Sequence, residues 1–430
     1  MTKLTSILWD NLGLRRGFIV FFSTIAILST AQSCSIPGFN NNNNNPNPAT
    51  YGILKKGDPN IQGENFVKAN AATQLDGKVN ASGLATLSGI KLVQFDPDNL
   101  FLLTIQKGIF RSTDSGRLWQ RKYLFKVGST ENDQSKRNQQ INAQIARNDA
   151  FFATDIAVDP TNKDRIFVSG LEGTLGKIYQ SIDGGENFSE IYTEVQKNVG
   201  VLHIAVDPNN PNRVYGVLKG GGLLRSLDGG ITWQKIRSFK ETPLQIGFVP
   251  EFNNQFYLLF PTQGLATSKD DGENWETNQL TKEPSVIGEN QPKDNLDLTS
   301  NSNKKFGKYE KIIPVNAKQN SWILIADRQI WYTTSLGIDF KKIILPLQSE
   351  QYNIFDVATD PAVGLERIFV SIDDKLFETG NQGNSWKSSD KIPFKIGNIG
   401  QILIDKSNSN IVFLVLVDPN ARRQSNILGL

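Results

Sequence analysis

The side chains best placed to do chemistry in this chain stand in short turns between apolar stretches. They are Lys107, Glu172, Lys177, Lys219, Gln263, Arg328, Asp373, Asp374 and Lys375, with the sole histidine, His203, inside an apolar run at 201–206. Carboxylates at Glu172, Asp327, Asp373 and Asp374 could supply general acids or bases, and the cations could hold an anionic group. Nothing in their spacing pairs them as a catalytic set, so they read as contact residues and no catalytic residue is assigned. His203 reads as packed or channel-facing. The sequence holds one cysteine and no His/Cys cluster, which leaves no transition-metal site, and Gly220 to Gly222 reads as a hairpin turn and not a phosphate cradle, so no cofactor is expected.

A repeated turn positions these residues. A small hydroxyl residue is followed two on by Asp or Asn, two further by Gly and three beyond by an aromatic. The copies are Ser112/Asp114/Gly116/Trp119, Ser181/Asp183/Gly185/Phe188, Ser226/Asp228/Gly230/Trp233 and Ser268/Asp270/Gly272/Trp275, then the worn Thr333/Ser335/Gly337/Phe340 and Thr379/Asn381/Gly383/Trp386. The carboxylate can accept backbone N–H bonds and the glycine supplies a positive φ. The ring is expected to drop back onto the sheet and be buried in the wedge between two neighbouring sheets. The copies recur at roughly 45 residues, stretched twice by about 20, which is the period of a β-propeller blade.

A second marker runs in phase, an apolar strand ending in Asp-Pro: Asp96-Pro97, Asp159-Pro160, Asp207-Pro208 and Asp360-Pro361, with degenerate copies at Val249-Pro250, Asn316-Ala317 and Asp405-Lys406. The extra marker predicts an all-β, seven-bladed propeller of four-stranded antiparallel blades. The last blade is then shared, with Tyr51 to Asp58 and Glu64 to Lys68 completing the sheet around Ile411. The propeller occupies 51–430, with insertions at 126–150 and 278–308; Ile141 and Ile145 suit a short helix over 140–148. Both repeated turns fall on one face. The insertions and the candidate contact residues fall on the other, where irregular loops on a rigid scaffold usually bind.

The N-terminus predicts an address. The apolar run at 18–28, with Lys3, Arg15 and Arg16 before it, reads as an export signal over 1–33, by either the general secretory or the twin-arginine route. Cys34 stands where a lipoprotein carries its acyl chains; ordinary cleavage after Ser33, or an uncleaved anchor, is the alternative. The Asn/Pro-rich stretch over 34–50 reads as a disordered tether. The expected location is extracytoplasmic, lipid-anchored on the periplasmic or thylakoid-lumen side. A net charge of +3 gives no support to nucleic-acid binding.

The six turns resemble the Asp-box repeat of bacterial neuraminidases, which also marks sortilin-type propellers. The Cys-rich module that follows the propeller in the sortilin type is missing here. In plan the chain is similar to the photosystem II stability and assembly factor family, with an export signal, a cysteine as at Cys34 and a propeller. That resemblance implies a monomeric, non-catalytic scaffold binding a protein partner, such as a membrane-protein assembly intermediate. Two long insertions and the lack of a concentrated arginine patch depart from that family. The Asp-box resemblance also implies an alternative, a sialidase-like glycosidase or glycan-binding protein. Its arginine cluster, Tyr–Glu pair and Asp acid/base do not map onto this sequence residue by residue, and Arg328 is the one evident turn arginine on the expected face.

Overall fold

The computed structural model describes residues 52–56, 67–68, 70–75, 78–80, 89–105, 107–116, 118–248, 255–278, 285–286, 306–315, 321–334, 340–347, 352–388 and 398–417. The export signal, Cys34, the tether and most of the 278–308 insertion lie outside them, as do Ser335 and Gly337 of the fifth turn and the markers at Val249 and Asn316.

Six blades are built from consecutive antiparallel strands. The first comprises Gly89–Gln94, Leu100–Thr104, Gly108–Ser112 and Leu118–Lys122; the second Phe152–Asp159, Asn162–Glu172, Leu175–Ser181 and Ser189–Thr193. The third comprises Val201–Val206, Val214–Leu218, Gly222–Ser226 and Gln234–Ser238; the fourth Gln245–Phe248, Phe256–Phe260, Gly264–Ser268 and Glu276–Asn278. The fifth comprises Tyr309–Pro314, Trp322–Ala326, Gln329–Thr333 and Lys341–Ile343; the sixth Ile354–Asp360, Gly364–Ile372, Lys375–Thr379 and Lys387–Ser388. A composite sheet closes the series: Asn398–Ile404 and Val412–Val417 pair with each other, Gly52–Lys56 adds to the outer side of Val412–Val417, and Val67–Lys68 adds to Gly52–Lys56.

The expectation of a seven-bladed propeller of four-stranded antiparallel blades, the last blade shared between the two ends of the chain, is therefore corrected to six blades. Six blades come from consecutive strands, and two of these are wider than four strands because parallel segments cover their outer edges. Asn70–Leu75 runs parallel to Leu118–Lys122 in the first blade, with Lys78–Asn80 beyond it, and Ser285–Val286 runs parallel to Lys341–Ile343 in the fifth. An edge strand presents unpaired N–H and C=O groups, and a nearby stretch of chain can satisfy them. Nor is the chain purely β. The first insertion carries helix α1 (Gln134–Ala150), longer than 140–148, because Asp133 caps it by accepting from Lys136 N at 2.9 Å.

Second strands such as Leu-Phe-Leu-Leu-Thr and Phe-Tyr-Leu-Leu-Phe are buried at every position. Alternation disappears there because both faces of the strand pack on neighbouring sheets. Each hydrophobic cluster is shared between two successive sheets: Phe101 and Leu103 of the first blade meet Ile156, Val168 and Tyr179 of the second. Phe413 and Val415 of the composite sheet meet Leu92, Phe110 and Trp119 of the first blade, closing the ring. The first strands of successive sheets lie side by side and so line the centre.

The repeated turns share one hydrogen-bond pattern. In the third blade Ser226 Oγ donates to Asp228 Oδ1 at 2.7 Å and accepts from Gly230 N at 2.7 Å, Asp228 Oδ1 accepts from Thr232 N at 2.9 Å, and Trp233 Nε1 donates to Gly230 O at 3.0 Å. The turns opened by Ser112, Ser181, Ser268 and Thr379 repeat the bond to the residue two on and the bond from the glycine. Asp114 Oδ1 accepts from Leu118 N, Asp183 Oδ1 from Asn187 N and Asp270 Oδ1 from Asn274 N, each at 2.9 Å. Asn381 uses its amide oxygen in the same way, accepting from Ser385 N at 2.9 Å, while its Nδ2 donates to Ser385 Oγ at 2.9 Å. The neutral amide thus keeps the turn but supplies no charge. Arginines tie turns to the preceding blade: Arg111 Nη1 donates to Gly184 O at 2.9 Å and Arg165 Nη2 to Gly229 O at 2.7 Å. Gly184 has φ +72°, and a Cβ there would sit 1.7 Å from Arg111 Nη1, so only glycine admits both the turn and the arginine.

The expected burial of all six turn aromatics is corrected. Trp119 and Phe340 are fully buried, but Phe188, Trp233, Trp275 and Trp386 are only half-buried, each packed against the margin of an inter-sheet cluster. The ring sits at the outermost strand of its blade, where solvent reaches it unless something lies outside. Asn70–Leu75 pairs alongside Trp119, and Phe306 stands edge-on to Phe340, so those two rings are covered. Trp275 Nε1 donates to Gly272 O at 2.9 Å, as in the third blade. Trp386 departs from that pattern, donating to Ile344 O at 2.8 Å and so tying the sixth turn to the chain that leaves the fifth blade.

Candidate functional site: the central cavity

Where the first strands begin and the second strands end, the described residues enclose a cavity of about 800 Å³. Its wall is mainly apolar: Ile90, Ile105, Phe152, Leu202, Leu244 and Val417. Three groups with titratable side chains join them: His203, Lys219 and Glu241. Five sheets contribute to the wall, so the ring itself assembles the site. A second, smaller cavity of about 450 Å³ shares Lys219 and Thr242 with the first and is bordered by Lys235 and Asn198.

Behind the cavity the inner strands carry a polar belt. Lys91 Nζ lies 2.6 Å from Asp155 Oδ1, and Asp155 Oδ2 accepts from Ile204 N at 3.1 Å, joining the first three blades. His203 Nδ1 stands 3.7 Å from the same carboxylate. Across the ring Lys311 Nζ lies 2.5 Å from Asp356 Oδ1, and Asp356 Oδ2 accepts from Ile402 N at 2.7 Å. Neutral glutamines complete the belt: Gln245 exchanges two bonds with the backbone of Ile312, and Gln401 does so with Leu92. Burial by itself would push the Asp155 carboxyl upward. The charge of Lys91, with His203 adding to it, outweighs burial and holds it down at about 2.

Of the contact residues named from the sequence, only Lys219 lines the cavity. Lys107 Nζ reaches Asp149 Oδ2 of α1 at 2.5 Å, and Arg121 Nη2 takes the other oxygen at 2.5 Å. Glu172 and Lys177 are brought together at 2.9 Å; Lys177 also holds Glu190 at 2.7 Å, and Arg147 of α1 binds Glu172 at 3.0 Å. Gln263 is half-buried in its hairpin turn. Arg328 is exposed at φ +59°, beside Asp327, which accepts from Gly307 N and Lys308 N at 2.9 and 2.7 Å. Asp373 accepts from Asn353 Nδ2 at 3.2 Å, and Asp374 and Lys375 are exposed. These residues lie around the rim in separate turns and form no single cluster. Ile90, Phe152, Leu202, His203 and Glu241 complete the site. Their signal was weak, since each is an ordinary residue at the start of an inner strand or in a linker.

A Tyr–Glu pair does exist, with Tyr179 Oη donating to Glu172 Oε2 at 2.8 Å. Tyr179 is 3% exposed and packed edge-on between Phe125 and Phe151. Burial and then Glu172 raise its hydroxyl well above the usual range, the opposite of what a nucleophile needs. The pair fastens the second blade to α1. Of the described residues lining the cavity, Glu241 is the only carboxylate, and Thr262 N donates to it at 3.2 Å.

No family model matches the chain. Over 183 residues it is 30% identical to the photosystem II assembly protein Ycf48 of Thermosynechococcus vestitus, a match covering 38% of this chain and 49% of that protein. Over 98 residues it is 32% identical to the xyloglucanase Xgh74A of Acetivibrio thermocellus, covering 20% of this chain and 12% of the enzyme. The chain thus spans about half the length, or less, of these curated relatives. Among solved structures, Ycf48 bound to D1 peptide superposes with a TM-score of 0.52 at 13% identity, covering 78% of this chain and 93% of that one. The GH74 xyloglucanase from Xanthomonas campestris gives 0.53 at 16% identity, covering 77% and 52%. At these identities the likenesses speak to architecture, and together with the closed ring of sheets they identify the described part of the chain as a β-propeller that is similar in sequence to part of Ycf48.

Proposed function

We propose that the protein is a non-catalytic, extracytoplasmic scaffold that receives a segment of a protein partner at its central cavity, in the manner of a photosystem II assembly factor. The observation that carries this reading is the cavity itself: roomy, mostly apolar, and furnished with a few polar groups at its floor and edge, as binding pockets generally are. The similarity to Ycf48, a structure of which holds a D1 peptide, supports a protein partner. The turns at Lys107, Gln263, Arg328 and Asp373 to Lys375 surround the same face and are assigned here as outer contacts. Acylation at Cys34 would tether the molecule to its membrane, and the scaffold acts as a monomer.

The matches to xyloglucanases favour a second reading, a glycan-acting propeller. Hydrolysis of that kind ordinarily uses two carboxylates flanking the scissile bond, and one faces this cavity among the described residues. The test is affinity capture from detergent-solubilised membranes with the full chain, wild type against Leu202→Arg, which places a charge in the apolar wall. A membrane protein retained by wild type and lost with the variant is the expected result. Purified protein that hydrolyses xyloglucan or an aryl glycoside would overturn it.

A further inference from the structure

We propose that the cavity takes an apolar peptide segment bearing a carboxylate, and that His203 on its floor couples this binding to protonation. The inference rests on reading the cavity as the binding site and adds the chemistry of the occupant. Three observations converge. The wall is apolar, so an occupant must bring apolar surface. Lys219 stands at the junction of the two cavities and Lys235 borders the second, so the polar edge sets two cations against one carboxylate, Glu241. His203 faces the cavity with its side chain 30% exposed while its Nδ1 looks back at Asp155 Oδ2.

Asp155 favours a proton on Nδ1, which leaves Nε2 to gain the second proton and donate toward the occupant. An ionised carboxylate there stabilises the imidazolium, so by linkage protonation strengthens binding. The surrounding charges are otherwise satisfied. Lys91 is committed to Asp155, Glu241 keeps its charge while accepting from Thr262 N and faces Lys219 across the same cavity wall, and Gln245 of the adjoining fourth-blade strand is neutral and bonded to Ile312. From the third blade's own second strand, the Tyr215 hydroxyl is directed at Asp271. On the second blade Arg165 pairs with Asp159, Asp164 with Arg111, and Glu172 with Lys177, while Lys163 acts on Asp96. His203 is thus the cavity-lining side chain of the type that exchanges a proton near neutrality.

The probe is acetyl-Leu-Leu-Glu-Leu-amide, with its Gln counterpart as the neutral control, titrated calorimetrically into the untagged full chain at pH 5.5 and 8.0. The Glu peptide should bind about tenfold tighter at pH 5.5, the equivalent of one pK unit, and the Gln peptide equally at both. His203→Gln should abolish the pH dependence, whereas Lys219→Gln should weaken binding at both pH values and preserve it. Because the sequence has a single histidine, its C2–H proton resonance reads the same linkage directly, and saturation with the Glu peptide should raise the titration midpoint. Failure of the Glu peptide to bind, or a pH dependence that survives in His203→Gln, overturns the inference. Membrane-protein capture that persists in either case leaves the scaffold reading standing, and its loss with Leu202→Arg bears on that reading alone.

Discussion

Replacing Asp155 by Asn tests whether the inner belt stabilises the ring. Asn keeps an oxygen for Ile204 N–H but removes the charge that faces Lys91 and His203. The folded carboxyl sits at about 2, below its ordinary value of 3.8. That depression corresponds to roughly 2–3 kcal/mol of stability at neutral pH. The sign follows from the direction: a carboxyl with a depressed folded pKa contributes fully above its unfolded value and loses that contribution as pH falls toward 2. Urea unfolding followed by tryptophan fluorescence should therefore show Asp155→Asn less stable by roughly 2–3 kcal/mol at pH 7, with the gap about halved near pH 3. Lys91 is 38% exposed, so solvent screens its share, and the coupling between Asp155→Asn and Lys91→Gln should be about 1 kcal/mol. Equal stability of wild type and Asp155→Asn at pH 7, or a gap that does not change with pH, would refute the assignment.

Two further outcomes follow from the geometry. Gly184→Ala forces a side chain into a left-handed turn and onto Arg111 Nη1; it should cost about 1–3 kcal/mol, read as a lower urea midpoint, while Gly173→Ala, with open space around its Cβ position, should cost less. Asp149→Ala releases both Lys107 and Arg121, so hydrogen exchange should speed up across α1 at nearly unchanged exchange in Leu100–Thr104; uniform protection across both would show that α1 is held by other contacts.

The turn chemistry was legible in the primary structure because it is local. Ser226, Asp228, Gly230 and Trp233 satisfy one another within a single turn, so their spacing alone predicts the hairpin, and its repetition predicts a ring of sheets. The pairing of Gly52–Lys56 with Val412–Val417 could likewise be read from the missing outer strands. What covers the outer edges could not be read. Asn70–Leu75 and Ser285–Val286 are too short and too ordinary to announce parallel pairing, and these additions widen two blades beyond the expected four strands. The depth of each turn aromatic depends on the same covering, which is why Trp119 is buried while Trp275 and Trp386 meet solvent. The site was harder still. Lys107, Glu172 and Lys177 are each drawn into ion pairs with α1 or their own blade, because an exposed turn charge takes whatever partner the insertion brings near.

What the sequence determined by itself is therefore the repeating unit, whose hydrogen bonds close over a few residues. Only the tertiary structure decided the cavity and its belt. Lys91, Asp155 and His203 are separated by dozens of residues and meet because ring closure sets the first strands side by side; no local pattern encodes a contact whose geometry depends on how all the sheets pack.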